Sequence, residues 1–183
     1  MDVYAPLGAI NVIGTSTVVA GSLQFPRTIV TMFLPAIAGV WVGERKTNMW
    51  KAMAIATAFS AFPMLAMGFT MQSASYIIVY FVALTLTGIA ESYRGVSITP
   101  AAQSCLKPED IGVGTALVNF ANSLAASLTA ALYGMIYGGF TAPDPTNVDL
   151  IQKGVNAVFL TSGGITVIGL LLTIFWVRPM LQK

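Results

Sequence analysis

Charge-free stretches divide the chain: 39 residues from Ala52 to Ala90, 33 from Ile111 to Pro143 and 24 from Gly154 to Val177. At about 1.5 Å rise per residue the first would make roughly 58 Å of helix, about two crossings of a ~30 Å hydrocarbon core, so a turn must break it. Each of the others supplies one crossing. A further apolar run precedes Arg45, and the pattern as a whole predicts five complete helices, Thr17 to Val42, Trp50 to Thr70, Ser75 to Ser104, Pro108 to Gly139 and Gly154 to Val177. The fold class is therefore an all-α, polytopic transmembrane helix bundle.

Prolines punctuate these helices. Pro26 and Pro35 kink the first, Pro63 the second, and Pro100 bends or ends the third, which a bilayer helix tolerates when neighbours satisfy the freed carbonyls. Pro108 followed by Glu109 and Asp110 suits a helix start, since proline fits the first turn and carboxylates complement the positive end of the helix dipole. Residues 1–16, "MDVYAPLGAINVIGTS", are apolar but too short to cross. They read as a partial helix or the outer end of a preceding one, with a re-entrant or interfacial segment as the alternative.

Composition agrees with this pattern. Of 183 residues 56% are hydrophobic and 9% charged, against roughly a quarter charged in a soluble domain. Cys105 is the single cysteine and histidine is absent, which excludes an internal disulfide, a cysteine-rich metal site and histidine-based acid–base chemistry. No serine–base, aspartyl-pair or metal-ligand pattern indicates an enzyme, and no cofactor is expected. A net charge of +2 gives no reason to expect nucleic acid, and no basic leader with a cleavage site opens the chain.

The basic residues read as topology markers. Arg45, Lys46 and Lys51 fall between helices one and two, Lys107 between three and four, and Arg178 and Lys183 after five, all on one side. The other side carries the turn "MQSAS" and the loop "GGFTAPDPTNVDLIQK", whose sole basic residue is Lys153. An excess of Lys and Arg marks the cytoplasmic face, so a cytoplasmic C-terminus in a multi-pass protein of the cell inner (plasma) membrane is expected.

The order of features carries a resemblance. A proline-kinked helix, "AGSLQFPRTIV", leads to Gly39 and a basic hairpin, "GVWVGERKTNMWK". Two helices follow, then "AAQSCLKPEDIGVGTALVNFANSLAASLTAALYG". This resembles the C-terminal half of a major facilitator superfamily transporter, most similar to the fourteen-span drug:proton antiporter branch. The family's hairpin has aspartate where Gly43 stands here, with Glu44 next, and members usually have a glycine pair at Ala125 and Ala126. The resemblance implies that residues 17–183 form a five-helix C-terminal half and that residues 1–16 are the outer end of the span before it. It further implies a missing N-terminal half, in the same or a separate chain, and proton-coupled efflux of drug-like or amphipathic small molecules. A homodimer of halves, or a non-transporting scaffold or truncated regulator that binds partner helices, is the alternative. Gly39, Glu44, Arg45 and Lys46 form the cytoplasmic hairpin and are read as anchors.

Two charges interrupt the third helix. Glu91 lies about 20 Å above its cytoplasmic end, near mid-bilayer, and Arg94 is one turn lower on the same face. Arg27 in the first helix is nearly level with Glu91 at about 23 Å. A lipid-facing charge at that depth costs at least ~2.5–3.5 kcal/mol. Glu91, Arg94 and Arg27 are therefore expected to line an aqueous cavity with Glu91 as the proton-linked or cation-binding group, or else to form a permanent salt bridge, within one helix or between two. Asn119, Asn122 and Gln24 are further candidates for the substrate or proton pathway. Ala126, Ala130, Gly134 and Gly138 form a small-residue stripe at i+4 spacing suited to helix packing. Tyr76, Tyr80, Tyr93, Phe33, Met32 and the many other methionines suit either a greasy adaptable pocket or, as is more usual in a membrane protein, simple packing and lipid contact.

Overall fold

The computed structural model describes residues 3–70 and 76–182 and is all-helical over them. The helices are α1 (Tyr4–Asn11), α2 (Thr17–Ser22), α3 (Phe25–Glu44), α4 (Lys46–Thr70) and α5 (Tyr76–Gln103). A short 3₁₀ turn, Pro108–Asp110, leads into α6 (Ile111–Thr141), followed by α7 (Val148–Leu172), a π-helical turn Thr173–Val177 and α8 (Arg178–Leu181). Five helical stretches are long and apolar enough to cross a bilayer: Thr17–Glu44, Thr47–Phe69, Ile77–Gln103, Pro108–Thr141 and Val148–Leu181. This is the architecture of a multi-pass helical membrane protein.

Local chemistry explains the helix ends. The chain turns between α1 and α2 at Gly14, whose φ of 75° lies in the left-handed region that glycine enters without a Cβ clash. Beside it Thr15 donates to the Ala9 carbonyl through both its N–H (3.1 Å) and its hydroxyl (2.8 Å). The first span is split, not merely kinked. Pro26 has no N–H to offer the Ser22 carbonyl, and α2 ends at Ser22 while α3 begins at Phe25. Pro35, Pro63 and Pro100 lie inside α3, α4 and α5 without ending them.

Two boundaries differ from the hydropathy pattern. The second span starts at Lys46 rather than Trp50, so the hairpin contracts to Arg45, the one residue between α3 and α4. The Asn48 amide closes this junction by donating to the Trp41 carbonyl at 2.7 Å, satisfying an acceptor at the end of α3. The last span starts at Val148 rather than Gly154, because Asn147 caps it by accepting from the N–H groups of Asp149 (3.0 Å) and Leu150 (3.4 Å). The turn read in Met71–Ser75 lies outside the described residues.

α4 is central, packed between α5 and α7, with α3 against α5 and α6 leaning on α7. The core is concentrated at the end of the bundle opposite Arg45. There α1, α2 and the turn after α2 bury Ala5, Ala9, Ala20 and Leu23 against Met67, Tyr80, Leu84, Val155 and Phe159. The outward surface is apolar: Ile29, Phe33, Ile37 and Val40 on α3, and Leu117, Phe120, Leu124 and Leu128 on α6, are all exposed. So much uncovered hydrocarbon suits lipid, not water. At the Arg45 end the Arg178 guanidinium stacks over the Trp50 ring, 5.1 Å from its centre, tying the C-terminal turn to α4.

Candidate functional site

The site forms where α3 crosses α5. A Cβ at Gly88 would sit 3.0 Å from the Arg27 carbonyl oxygen and 3.2 Å from its Cα, so only glycine admits this approach without a shift. The crossing places Arg27, in the first turn of α3, beside Glu91, one turn beyond Gly88. The guanidinium Nη2 and Nε donate to the same carboxylate oxygen, Glu91 Oε2, at 2.8 and 3.2 Å. Arg27 Nη1 also approaches Gln24 Oε1 at 3.5 Å. The Arg27 side chain is 17% exposed and that of Glu91 43% exposed, so the carboxylate keeps a wet side. Glu91 Oε1 accepts no hydrogen bond from the described residues.

This ion pair lies in the wall between two cavities. One, of about 580 Å³, is lined by Gln24, Arg27, Thr28, Thr31, Glu91 and Ser92. The other, of about 650 Å³, lies among α4, α5, α6 and α7, and its charged residues among the described ones are Arg27, Glu91 and Arg94. Tyr4 lines the second cavity and contacts the rings of Tyr133 (6.4 Å, edge-on) and Tyr137 (5.6 Å, tilted), which joins α1 to α6 at the core end. Arg94 makes no ion pair or side-chain hydrogen bond with the described residues. The pair is thus between helices, Arg27 to Glu91, and not the within-helix Glu91 to Arg94 alternative.

The structure sorts the remaining expected residues. Gln24 belongs to the site. Asn119 and Asn122 are exposed and line neither cavity, because the cavity meets α6 farther along, at Ala125, Ala126, Thr129, Ala130 and Tyr133. Ala126 and Ala130, expected as packing residues, are cavity wall. Gly134 and Gly138 are uncovered: no described atom comes within 4 Å of a Cβ built at either. In the hairpin Gly39 faces Val96 of α5, Glu44 and Arg45 are exposed without an ion pair among the described residues, and the Lys46 side chain lies outside the described ones. Of the two readings of the aromatic and methionine residues, packing and lipid contact holds for four: Met32 and Phe33 point outward, Tyr80 is in the core, Tyr93 packs edge-on to Trp41 at 6.1 Å, and none of these lines either cavity, whereas Met53 and Met64 do line the larger one. The Tyr76 side chain lies outside the described residues.

Sequence reasoning missed Gly88, the close contact that permits the ion pair, although a glycine one turn before an intramembrane carboxylate was a readable signal. It also missed a repeated Leu-x-x-Gly, "LAMG" at 65–68 and "LTSG" at 160–163. These two interlock, Gly68 against Leu160 and Gly163 against Leu65, and clamp α4 antiparallel to α7. Comparison with protein-family models, with curated proteins and with solved structures finds no match for this chain.

Proposed function

We propose that the chain is one half of a proton-coupled membrane transporter, of the kind formed by the C-terminal half of major facilitator superfamily drug:proton antiporters. The observation that carries this reading is the Arg27–Glu91 pair, an intramembrane ion pair joining two helices in the wall between two cavities. Intramembrane carboxylates mark proton relays more often than they serve as struts. A proton added to Glu91 removes its negative charge and weakens its hold on the Arg27 guanidinium, which loosens α3 against α5. The split before Pro26 places a hinge between α2 and α3 beside the pair. Loss of the proton restores the bridge, so the wall can follow proton occupancy.

The substrates under this reading are drug-like or amphipathic small molecules, and the direction is efflux. The partner is an N-terminal half, in the same or a separate chain, that completes the cavity. The basic side, with the C-terminus, is cytoplasmic in a cell inner (plasma) membrane. In proteoliposomes containing the assembly encoded by the complete locus, Glu91→Gln should retain substrate binding and lose proton-driven transport. Normal proton coupling by that variant would sink the proposal.

A second reading, a non-transporting scaffold, is favoured by the uncovered Gly134 and Gly138, a surface suited to a partner helix. The mass of the native complex in mild detergent separates the two. A partner that adds the remaining spans supports transport, whereas a partner of one or two spans supports the scaffold.

A further inference from the structure

We infer that Arg94 is the docking point for the anionic group of an amphipathic substrate held in the 650 Å³ cavity, an assignment that rests on the transporter reading above. Among the described residues three charged side chains line that cavity, Arg27, Glu91 and Arg94, and two of them are bound to each other. The five donors of Arg94 are unused among the described residues. A guanidinium at this depth, about 14 Å from the Gln103 end of α5, requires water or an anion.

Four hydroxyls of the cavity do not compete for that role. Thr57 donates to the Met53 carbonyl (2.9 Å), Thr87 to Leu84 (2.7 Å), Ser97 to Tyr93 (2.7 Å) and Thr166 to Ser162 (2.7 Å). Their protons are committed to the helix backbone, so they offer a ligand lone pairs and no donors, whereas the hydroxyls of Tyr4, Ser60, Thr129, Tyr133 and Ser162 are neutral donors that add hydrogen bonds but no positive charge. A carboxylate or sulfonate needs donors, and the Arg94 fork matches its two oxygens. A cation would meet two guanidinium groups against the one carboxylate of Glu91, an excess of one positive charge among the described lining residues. Met53, Met64, Ala126 and Ala130 supply apolar wall, and the volume is that of a site for a drug-sized molecule. The occupant is therefore an anion with an apolar body.

The test is binding, independent of transport. The protein, expressed from its complete locus and placed in phosphatidylcholine nanodiscs, is titrated with three fluorescent probes of one skeleton: pyrenebutyrate, pyrenebutanol and a pyrenebutyl trimethylammonium. Pyrenebutyrate should bind tightest. Arg94→Gln should weaken pyrenebutyrate by about tenfold or more while leaving pyrenebutanol unchanged, and Arg94→Lys should recover part of the loss. Wild-type preference for the ammonium or equal binding of acid and alcohol would overturn the proposal. So would an equal loss of both by Arg94→Gln, because Arg94 would then only shape the cavity. If phosphatidylglycerol added to the discs displaces pyrenebutyrate, the anion at Arg94 is a lipid headgroup and the substrate assignment falls. Preferential pyrenebutyrate binding without proton-driven transport would leave the Arg94 site standing and remove the transporter reading instead.

Discussion

The seam between α4 and α7 and the outer stripe of α6 use the same small residues for opposite ends. In the seam, Gly68 and Gly163 each receive a leucine from the other helix, and a Cβ at either would come within 2.7 or 2.6 Å of that leucine. On α6, Gly134 and Gly138 stand at i+4 spacing with no described atom of another element within 4 Å of a Cβ built at either. A glycine alone therefore does not mark a helix contact. What distinguishes the seam is the leucine three residues before each glycine, which makes the two surfaces self-complementary when the helices run antiparallel. Between these extremes lies the α3–α5 crossing, where Gly88 meets backbone and an ion pair completes the contact.

The sharpest break of that contrast is a branched residue in the seam. Gly163→Val should lower the stability of the chain in detergent by about 3 kcal/mol, because the added carbons meet Leu65 and its backbone N–H, and Leu65→Ala should return part of the loss. An unchanged unfolding midpoint would show that the seam is loose. At the crossing, Arg27→Ala should cost about 1–2 kcal/mol. That is less than the roughly 3–5 kcal/mol of a fully buried pair, because Glu91 is 43% exposed.

Gly134→Ala and Gly138→Ala should do the reverse in the isolated chain, raising stability by up to about 1 kcal/mol each through helix propensity. In the complete assembly the same changes should weaken association if a partner helix lies on the stripe, which co-purification of the tagged chain measures. The smallest effect concerns the loop. The Thr146 hydroxyl (2.7 Å) and N–H (3.0 Å) donate to Asp144 Oδ1 and hold its carboxyl below the usual carboxylate range. A depressed folded value contributes stability above the ordinary value of 3.8 that is lost as pH falls through the lower folded one. Thr146→Val should flatten that acid limb slightly in a pH series of unfolding midpoints and leave the neutral range alone.

Much of this was legible along the chain. Charge-free length predicted five spans, and the 3₁₀ turn at Pro108–Asp110 opens α6 where the proline and two carboxylates predict a start. Hydropathy placed the beginnings of α4 and α7 too late, because Lys46, Lys51, Asp149 and Lys153 are helical while polar. The caps, Asn48 on Trp41 and Asn147 on its own helix, were the better signals there. The level estimate for Arg27 and Glu91 anticipated their meeting, since rise per residue and topology suffice to compare depths.

Azimuth was the harder quantity. Which face of α6 lines the cavity depends on how α6 leans against α7, and polarity alone made Asn119 and Asn122 the candidates on α6 instead of Thr129 and Tyr133. By itself the sequence determined the helical class, the number of helices long and apolar enough to cross a bilayer and the position of each charge along its helix, because these follow from backbone hydrogen bonding in an apolar medium and a fixed rise per residue. Only the tertiary structure decided that Arg27 holds Glu91 and leaves Arg94 to face the cavity. That choice depends on the 3.0 Å approach of α3 at Gly88, a distance set by the rotation and crossing of two helices that no spacing along the chain contains.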